Sequence, residues 1–201
     1  CHVHLSLWDK GGRTNVLHDD SDELGLSEKA YHFMGGVLHH AASMCAITNP
    51  TVNSYKRINA PVTASGATWS PNSITWAGNN RTHMVRVPDP GRFEFRQADG
   101  AANPYLLQAV KLAAGLEGMA SNRDPGKRLD IDMYSEGHKA RGAKKLPLYL
   151  LDAIRAFERD KTLRKALGEE FSKAYIKMKT AEWDDYSRQL TDWERQHTLD
   201  C

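Results

Sequence analysis

The stretch RFEFR, residues 92–96, alternates charged and aromatic side chains at every position. Successive side chains of a β-strand point to opposite faces of its sheet, so this alternation predicts a strand with Phe93 and Phe95 in a hydrophobic core. Arg92, Glu94 and Arg96 then share the opposite face. A carboxylate between two guanidiniums is either a structural ion pair or a divalent-metal ligand flanked by two anion-binding arginines.

A second alternating stretch, HVHLSLW, occupies residues 2–8. It predicts a strand whose polar face carries His2, His4 and Ser6, and whose other face enters the core. Imidazoles two residues apart can serve as a metal ligand and as a donor to a phosphate. An isolated pair of this kind is also typical of a solvent-facing strand edge, so the pattern alone leaves both interpretations open.

Residues 81–96 contain four arginines, interleaved with apolar residues: Arg81, Arg86, Arg92 and Arg96. The planar guanidinium binds phosphates and carboxylates in a bidentate manner and stays protonated, so the cluster predicts a site for such anions.

The formal net charge of +2 is too small for a long-range field. We therefore expect neither nucleic acid nor a membrane as a partner, and no apolar stretch approaches the ~20 residues that span a bilayer.

The remaining pattern is mainly helical and predicts an α+β fold with strands first and helices afterwards. Ser27 predicts an N-cap for a helix to about Thr48, and Asn103 precedes a helix to about Met119. Further helices are predicted over 148–159, 162–167 and about 169–190, a short strand over 84–87, and long loops over 51–80 and 121–146. Three cysteines without metal-ligand spacing suit a reducing compartment, so the cytoplasm is the expected location.

Taken in order, five segments resemble the glutamine synthetase family: HVHLSL (2–7), NPTVNSYKR (49–57), NRTHMVRVP (80–88), RFEFR (92–96) and DGAANPYL (99–106). The resemblance covers residues 1–120 closely and the C-terminal helices more loosely. It implies a curved antiparallel sheet covered by helices with a helical C-terminal half, and it makes residues 1–201 the C-terminal part of the catalytic domain. The N-terminal domain and further metal carboxylates would lie upstream of Cys1, so this segment alone is expected to be inactive.

The resemblance also implies roles for individual residues in an ATP-dependent ligase that activates glutamate as a γ-glutamyl phosphate. The implied assignments are His2 and Glu94 for Mg²⁺ or Mn²⁺, His4, Ser6 and Arg92 for ATP, Arg57 and Arg96 for glutamate, and Arg81 and Arg86 for the transferring phosphoryl group. A homo-oligomer of stacked six-membered rings, a dodecamer, is implied as well.

The segment after Arg57 departs from the family pattern. Ammonia-using members carry a glutamate there on a flap, whereas residues 58–79 contain no acidic residue and include Trp69 and Trp76. Aromatic faces stabilise alkylammonium ions, so these tryptophans are candidates for an amine site, although both could simply be packed. This flap and the tail LTDWERQHTLDC (190–201) resemble γ-glutamylmethylamide synthetase and type III glutamine-synthetase-like proteins.

Several acceptors and functions therefore stay open. Methylamine and ammonia are both expected acceptors, with a preference for methylamine, and a ligase for another amine such as a polyamine is an alternative. A non-catalytic homologue that acts in assembly or ligand sensing is the remaining alternative. Retention of Glu94 between anion-binding arginines favours catalysis.

Overall fold

A computed structural model describes residues 1–61, 63 and 69–199. Within these residues the strands form one sheet in the order β1-β4-β3-β2. The strands are β1 (Val3–Leu5), β2 (Trp76–Ala77), β3 (Val85–Asp89) and β4 (Arg92–Phe95). Strand β4 pairs antiparallel with β1 and with β3, whereas β2 runs parallel to β3. The predicted α+β class is confirmed, and the parallel edge strand makes the sheet mixed rather than wholly antiparallel.

Helices cover the sheet and are the main element of the C-terminal half, where no strand occurs among the described residues. They are α1 (Glu28–His39), α2 (Ala41–Thr48), α3 (Val52–Ile58), α4 (Pro104–Ala120), α5 (Met133–Glu136), α6 (Leu150–Arg159), α7 (Lys161–Leu167), α8 (Glu169–Ser187) and α9 (Asp192–His197), with a 3₁₀ turn at 137–139. The predicted N-cap is confirmed at Ser27, whose side chain accepts a backbone N–H group of α1. The predicted start of α4 after Asn103 is confirmed too, and the Asn103 side chain caps that helix. The loop predictions missed α3 and α5, and α9 was not predicted.

The core lies between the sheet and the crossing of α1 with α4. Phe93 and Phe95 of β4 are each 1% exposed, as the alternation of residues 92–96 predicts. The ring of Phe93 contacts Phe33 of α1 with the ring centroids 5.6 Å apart. Because these rings fix one face of β4 in the core, Glu94 must lie on the other face. None of the described helices is long and apolar enough to cross a membrane.

The predicted helix over 28–48 is interrupted at His40, which separates α1 from α2. The His40 Nδ1 lies 2.6 Å from an Asp160 carboxylate oxygen, and its Nε2 lies 3.2 Å from one of Glu117. Glu117 also accepts two hydrogen bonds from Arg123, at 2.6 and 2.7 Å. This buried network joins the α1–α2 break to α4 and to the N-cap of α7, contacts that hydrophobic periodicity cannot reveal.

We expect the substitution His40→Gln to destabilise the protein in a pH-dependent way. Burial lowers the pKa of His40, but the hydrogen bonds and charges of Asp160 and Glu117 outweigh it and raise the pKa above its ordinary value. A raised folded-state pKa means that the extra stabilisation is complete below the unfolded value of about 6.5 and is lost as the pH rises through the folded value. The expected loss in free energy of unfolding is about 1–3 kcal/mol at pH 6 and smaller at pH 9.

Denaturant unfolding of the whole protein at both pH values measures this difference. His138→Gln is the matched control, because His138 is exposed, and it should change the free energy of unfolding little at either pH. Equal losses for His40→Gln at pH 6 and pH 9 would contradict stabilisation by a protonated imidazole.

Candidate functional site

Glu94 is the centre of a buried charge cluster on the polar face of the sheet. Its side chain is 4% exposed, and its two carboxylate oxygens accept hydrogen bonds from Arg86 and Arg96, each at 2.8 Å. The strand register explains this arrangement, since Glu94 pairs with Arg86 on β3 and with His4 on β1. Cross-strand partners place their side chains on the same face of a sheet, so polar side chains of β1, β3 and β4 lie together around Glu94.

The two histidines of residues 2–8 lie beside this carboxylate. The His2 Nδ1 is 3.2 Å from Glu94 Oε1, and the His4 Nε2 is 3.7 Å from the same oxygen. Both imidazoles are nearly half exposed, whereas Val3 and Leu5 are turned toward the core. The alternation predicted for this strand is therefore present, and its polar face meets that of β4.

These groups line one open cavity of about 480 Å³. Its walls are formed by His2, His4, Asn79, Arg81, Arg86, Pro88, Asp89, Arg92, Glu94 and Arg96. The structure thus brings together the two histidines, the carboxylate and all four clustered arginines that the sequence singled out. Four arginines beside two carboxylates, those of Glu94 and Asp89, suit a ligand that carries several negative charges.

The charge cluster sets the protonation states of Glu94 and His2. Burial raises the pKa of Glu94, but the hydrogen bond from Arg86 and the charge of Arg96 outweigh it and hold the pKa below its ordinary value. Burial and the positive charge of Arg96 lower the pKa of His2. At neutral pH the pair is therefore an ionised carboxylate and a neutral imidazole, the forms that bind metal ions.

The geometry of this pair fits a shared metal ion. Two ligand atoms that each lie about 2.0–2.3 Å from one ion, in adjacent coordination positions, are separated by about 3 Å. The 3.2 Å between His2 Nδ1 and Glu94 Oε1 matches that separation. Among the described residues no group of three or more His, Cys, Asp or Glu could hold an ion. A complete ligand set would therefore need water or donors outside those residues.

Arg57 and Ser6 lie outside the walls of this cavity. Arg57 donates to the Ser70 hydroxyl at 3.0 Å and to the carbonyl oxygen of Gln97 at 2.8 Å, so it is fixed just beyond Arg96 at the end of β4. The exposed Ser6 hydroxyl accepts a hydrogen bond from the Trp8 indole at 3.1 Å. Their assignments to glutamate and to ATP remain predictions.

The two tryptophans of the predicted flap have different surroundings. Trp76 pairs in register with Val85, so it lies on the sheet face opposite Arg86, and its indole donates to the carbonyl of Gly126 at 2.9 Å. Trp76 therefore fits the alternative of a packed side chain. Trp69 packs edge-to-face on Tyr134 at 5.2 Å and remains an amine-site candidate. Residues 62 and 64–68 of the flap lie outside the described residues.

Two asparagines support the arginines, Asn79 by direct contact and Asn49 through a shared carbonyl, and sequence reasoning missed both. The Asn79 side-chain oxygen accepts from Arg86 Nε at 2.8 Å and from Arg86 Nη2 at 2.5 Å. Asn49 donates at 2.9 Å to the Gln97 carbonyl that also accepts from Arg57. Their positions in the sequence could have indicated this role, because Asn49 is the first residue of the segment 49–57 and Asn79 directly precedes the segment 80–88.

The fold and the buried carboxylate among arginines agree with one family of known proteins. The family model described as glutamine synthetase, catalytic domain, matches residues 1–198, and the chain belongs to that family. The chain is 62% identical over 200 residues to a glutamine synthetase of Rhizobium meliloti (strain 1021), covering 100% of this chain and 46% of that protein. It is also 40% identical over 198 residues to a glutamate–methylamine ligase of Methyloversatilis universalis, covering 96% of this chain and 44% of that protein.

A solved structure of a GmaS/ADP complex has the same fold. It superposes with a TM-score of 0.92 and shares 61% sequence identity, covering 100% of this chain and 46% of that chain. The chain thus spans about half the length of the curated relatives it matches. The likeness confirms the predicted catalytic-domain fold.

Proposed function

We propose that the protein containing this chain is an ATP-dependent ligase that joins the γ-carboxylate of glutamate to a small amine through a γ-glutamyl phosphate. The observation that carries this proposal is the ionised Glu94, which is buried between Arg86 and Arg96 and lies 3.2 Å from His2. Membership of the glutamine synthetase family and relatives named as glutamate ligases support it.

The proposed reaction explains why the site is rich in fixed cations. A carboxylate is a poor acyl donor at neutral pH, so it must first become an acyl phosphate that an amine can attack. Negative charge then accumulates on the phosphoryl oxygens, and pre-positioned donors stabilise it without reorganisation. Arg86 is pre-positioned by Glu94 and Asn79. A divalent ion held by His2 and Glu94 would supply further charge neutralisation.

Hydrogen-bond donors without a partner in the described residues bear on the binding roles that we propose for the arginines. Arg81 lines the cavity and is exposed, and it makes no ion pair with a described residue, so it is available to an incoming phosphoryl group with Arg86. The Nε atoms of Arg57 and Arg96 are buried and find no hydrogen-bond partner in the described part of the chain. Such orphaned donors are uncommon in folded proteins. Because both atoms are buried, the assignment of Arg57 and Arg96 to the carboxylates of glutamate rests on the family resemblance of residues 49–57 and 92–96.

The nucleotide is placed along β1 and the start of β4 in this proposal. His4 lines the cavity next to Glu94, and Arg92 lines it while forming an ion pair with Asp89. With Ser6 at the end of the same polar face, these side chains are the proposed contacts to ATP. The remaining metal ligands would be water or donors outside the described residues.

We propose methylamine rather than ammonia as the preferred acceptor. The flap sequence 58–79 contains no carboxylate to bind ammonium, and Trp69 offers an aromatic face in that segment. Ammonium can make a cation–π contact as well, so the preference would come from the methyl group: its burial against an aromatic ring contributes about 0.8 kcal/mol, a factor of about four. Relatives carrying either name are similar to this chain, so substrate preference must be measured.

The measurement is kcat/KM of the whole protein for each amine, with glutamate, ATP and Mg²⁺ present. At equal free-base concentration we expect methylamine to be favoured, and Trp69→Ala to lower kcat/KM for methylamine about tenfold while changing the value for ammonia less than threefold. Trp193→Ala, at an exposed tryptophan of α9, is the control.

A preference of the unsubstituted protein for ammonia, or equal losses for both amines in Trp69→Ala, would refute the role of Trp69. Absence of ADP release with every amine tested would instead favour the non-catalytic homologue.

A further inference from the structure

A second and larger cavity, of about 790 Å³, lies between the end of α1 and the loops 121–129 and 139–144. It shares no lining residue with the cavity around Glu94. Its floor includes Trp76, which lies on the sheet face opposite Arg86. The two cavities are therefore separate features on different sides of the sheet.

The walls of this second cavity are strongly basic. Three separate segments contribute the side chains His39, Arg123, Lys127, Lys139, Arg141 and Lys144, whereas Asp124 is the one acidic residue among the lining residues. Arg123 is paired with Glu117, and Lys139 with Glu136. For Lys127, Arg141 and Lys144 there is no ion pair with any residue that the structure describes. Three unpaired cations facing one carboxylate give the cavity a positive potential.

One wall of the cavity is held rigidly. Two hydrogen bonds from Arg123 lower the pKa of Glu117 to about 2, so Glu117 remains ionised over the physiological range. Glu117 is itself held by His40, and the backbone carbonyl of Arg123 lies 3.1 Å from His32 Nδ1. Side chain and backbone of Arg123 are thus both fixed, which suits a pre-organised binding surface.

The two loops leave room for a ligand near their backbone. Gly126 and Gly142 both line the cavity and adopt positive φ angles, of 76° and 89°. Around each of them nothing lies within 4 Å of the position a Cβ would occupy. The volume of the cavity is in the range of small-molecule sites.

We propose that this cavity binds a small polyanion, a molecule carrying several phosphate or carboxylate groups, independently of the site around Glu94. Arg141 and Lys144 belong to the loop 139–144 and Lys127 to the loop 121–129, so two separate segments supply cations to the same cavity. Charge-assisted hydrogen bonds to such cations are stronger than those between neutral groups, so removal of two of the cations should weaken binding measurably.

The test measures binding of inorganic tripolyphosphate to the whole protein by calorimetry, without divalent ions. We expect the double variant Arg141→Ala/Lys144→Ala to weaken binding by about 30- to 100-fold. Lys165→Ala/Lys177→Ala removes the same number of charges from exposed positions of α7 and α8 and should bind like the unsubstituted protein. Arg81→Ala, in the Glu94 cavity, should leave this binding event intact.

Each of the following results overturns the proposal. These are unchanged affinity in Arg141→Ala/Lys144→Ala, equal weakening by the Lys165→Ala/Lys177→Ala control, and failure of the unsubstituted protein to bind millimolar tripolyphosphate. A loss of all binding in Arg81→Ala also overturns it, because the anion would then occupy the Glu94 cavity. Thermal unfolding of each variant verifies that the exposed substitutions leave the fold intact.

Discussion

Replacing Glu94 with glutamine is expected to lower kcat for amide formation by about 10²–10⁴, with a smaller change in KM for ATP and glutamate. Glutamine keeps the size of the side chain but removes its charge and with it a proposed metal ligand. It also removes the ionic partner that holds Arg86 and Arg96, each now at 2.8 Å from the carboxylate. Loss of one electrostatic group from a pre-organised site costs about 10²–10³ in rate, and here several groups lose their positioning together.

Steady-state kinetics of the whole protein, together with its affinity for Mn²⁺, measure this effect. Glu170→Gln is the matched control, because it makes the same chemical change at an exposed position of α8. It should leave both kcat and Mn²⁺ affinity unchanged. A value of kcat within threefold of the unsubstituted protein in Glu94→Gln would show that Glu94 forms only a structural ion pair, the alternative that its sequence pattern left open.

The polar face of the site could be predicted because strand periodicity is a local property. The alternation in residues 92–96 and 2–8 shows which side chains share a face, and the structure agrees at Glu94, His2 and His4. The register that sets His4 and Arg86 opposite Glu94 depends on pairing between distant segments, so no local pattern contains it. For the same reason the support of Arg86 by Asn79 was missed.

Features that depend on tertiary contacts could not be predicted in the same way. The break at His40 is stabilised by Asp160 and Glu117, which are far from it in sequence. The position of Trp76 on the core face follows from the register of β2 with β3. Helix α3 is a different case, because its capping box, formed by Thr51 and Ser54, is a local signal. The prediction of a loop over residues 51–80 missed this capping box.

Lys111 of α4 is a buried lysine in the hydrophobic core. Its helical spacing from Leu107 and Ala114 places it on the core face, and it is 3% exposed. Its ammonium nitrogen lies 3.6 Å from the centroid of the Phe95 ring and has no hydrogen-bond partner among the described residues. Burial lowers its pKa from 10.5 to about 6. Phe95 and Glu94 are consecutive residues of β4, so their side chains point to opposite faces of the sheet. Lys111 therefore contacts β4 on the face opposite Glu94.

We expect Lys111→Met to raise the free energy of unfolding at pH 7 by about 2–4 kcal/mol, because folding forces Lys111 to release a proton that the unfolded chain keeps. The unfolded chain holds the Lys111 proton below pH 10.5 and the folded chain only below about 6, so the cost of burying lysine grows as the pH falls through this interval. The gain should therefore be largest near pH 6 and should nearly vanish at pH 10.5. Methionine fills a similar volume without a charge, so packing on Phe95 is retained.

Denaturant unfolding of the whole protein at pH 6, 7 and 10 measures this dependence, with Lys29→Met at an exposed position of α1 as the control. The control should change the free energy of unfolding by less than about 0.5 kcal/mol at each pH. Destabilisation by Lys111→Met at all three pH values would mean that the ammonium has an acidic partner in the whole protein. In that case Lys111 would form an ion pair with an acidic residue outside the described residues. The predicted increase in the free energy of unfolding would then be wrong in sign.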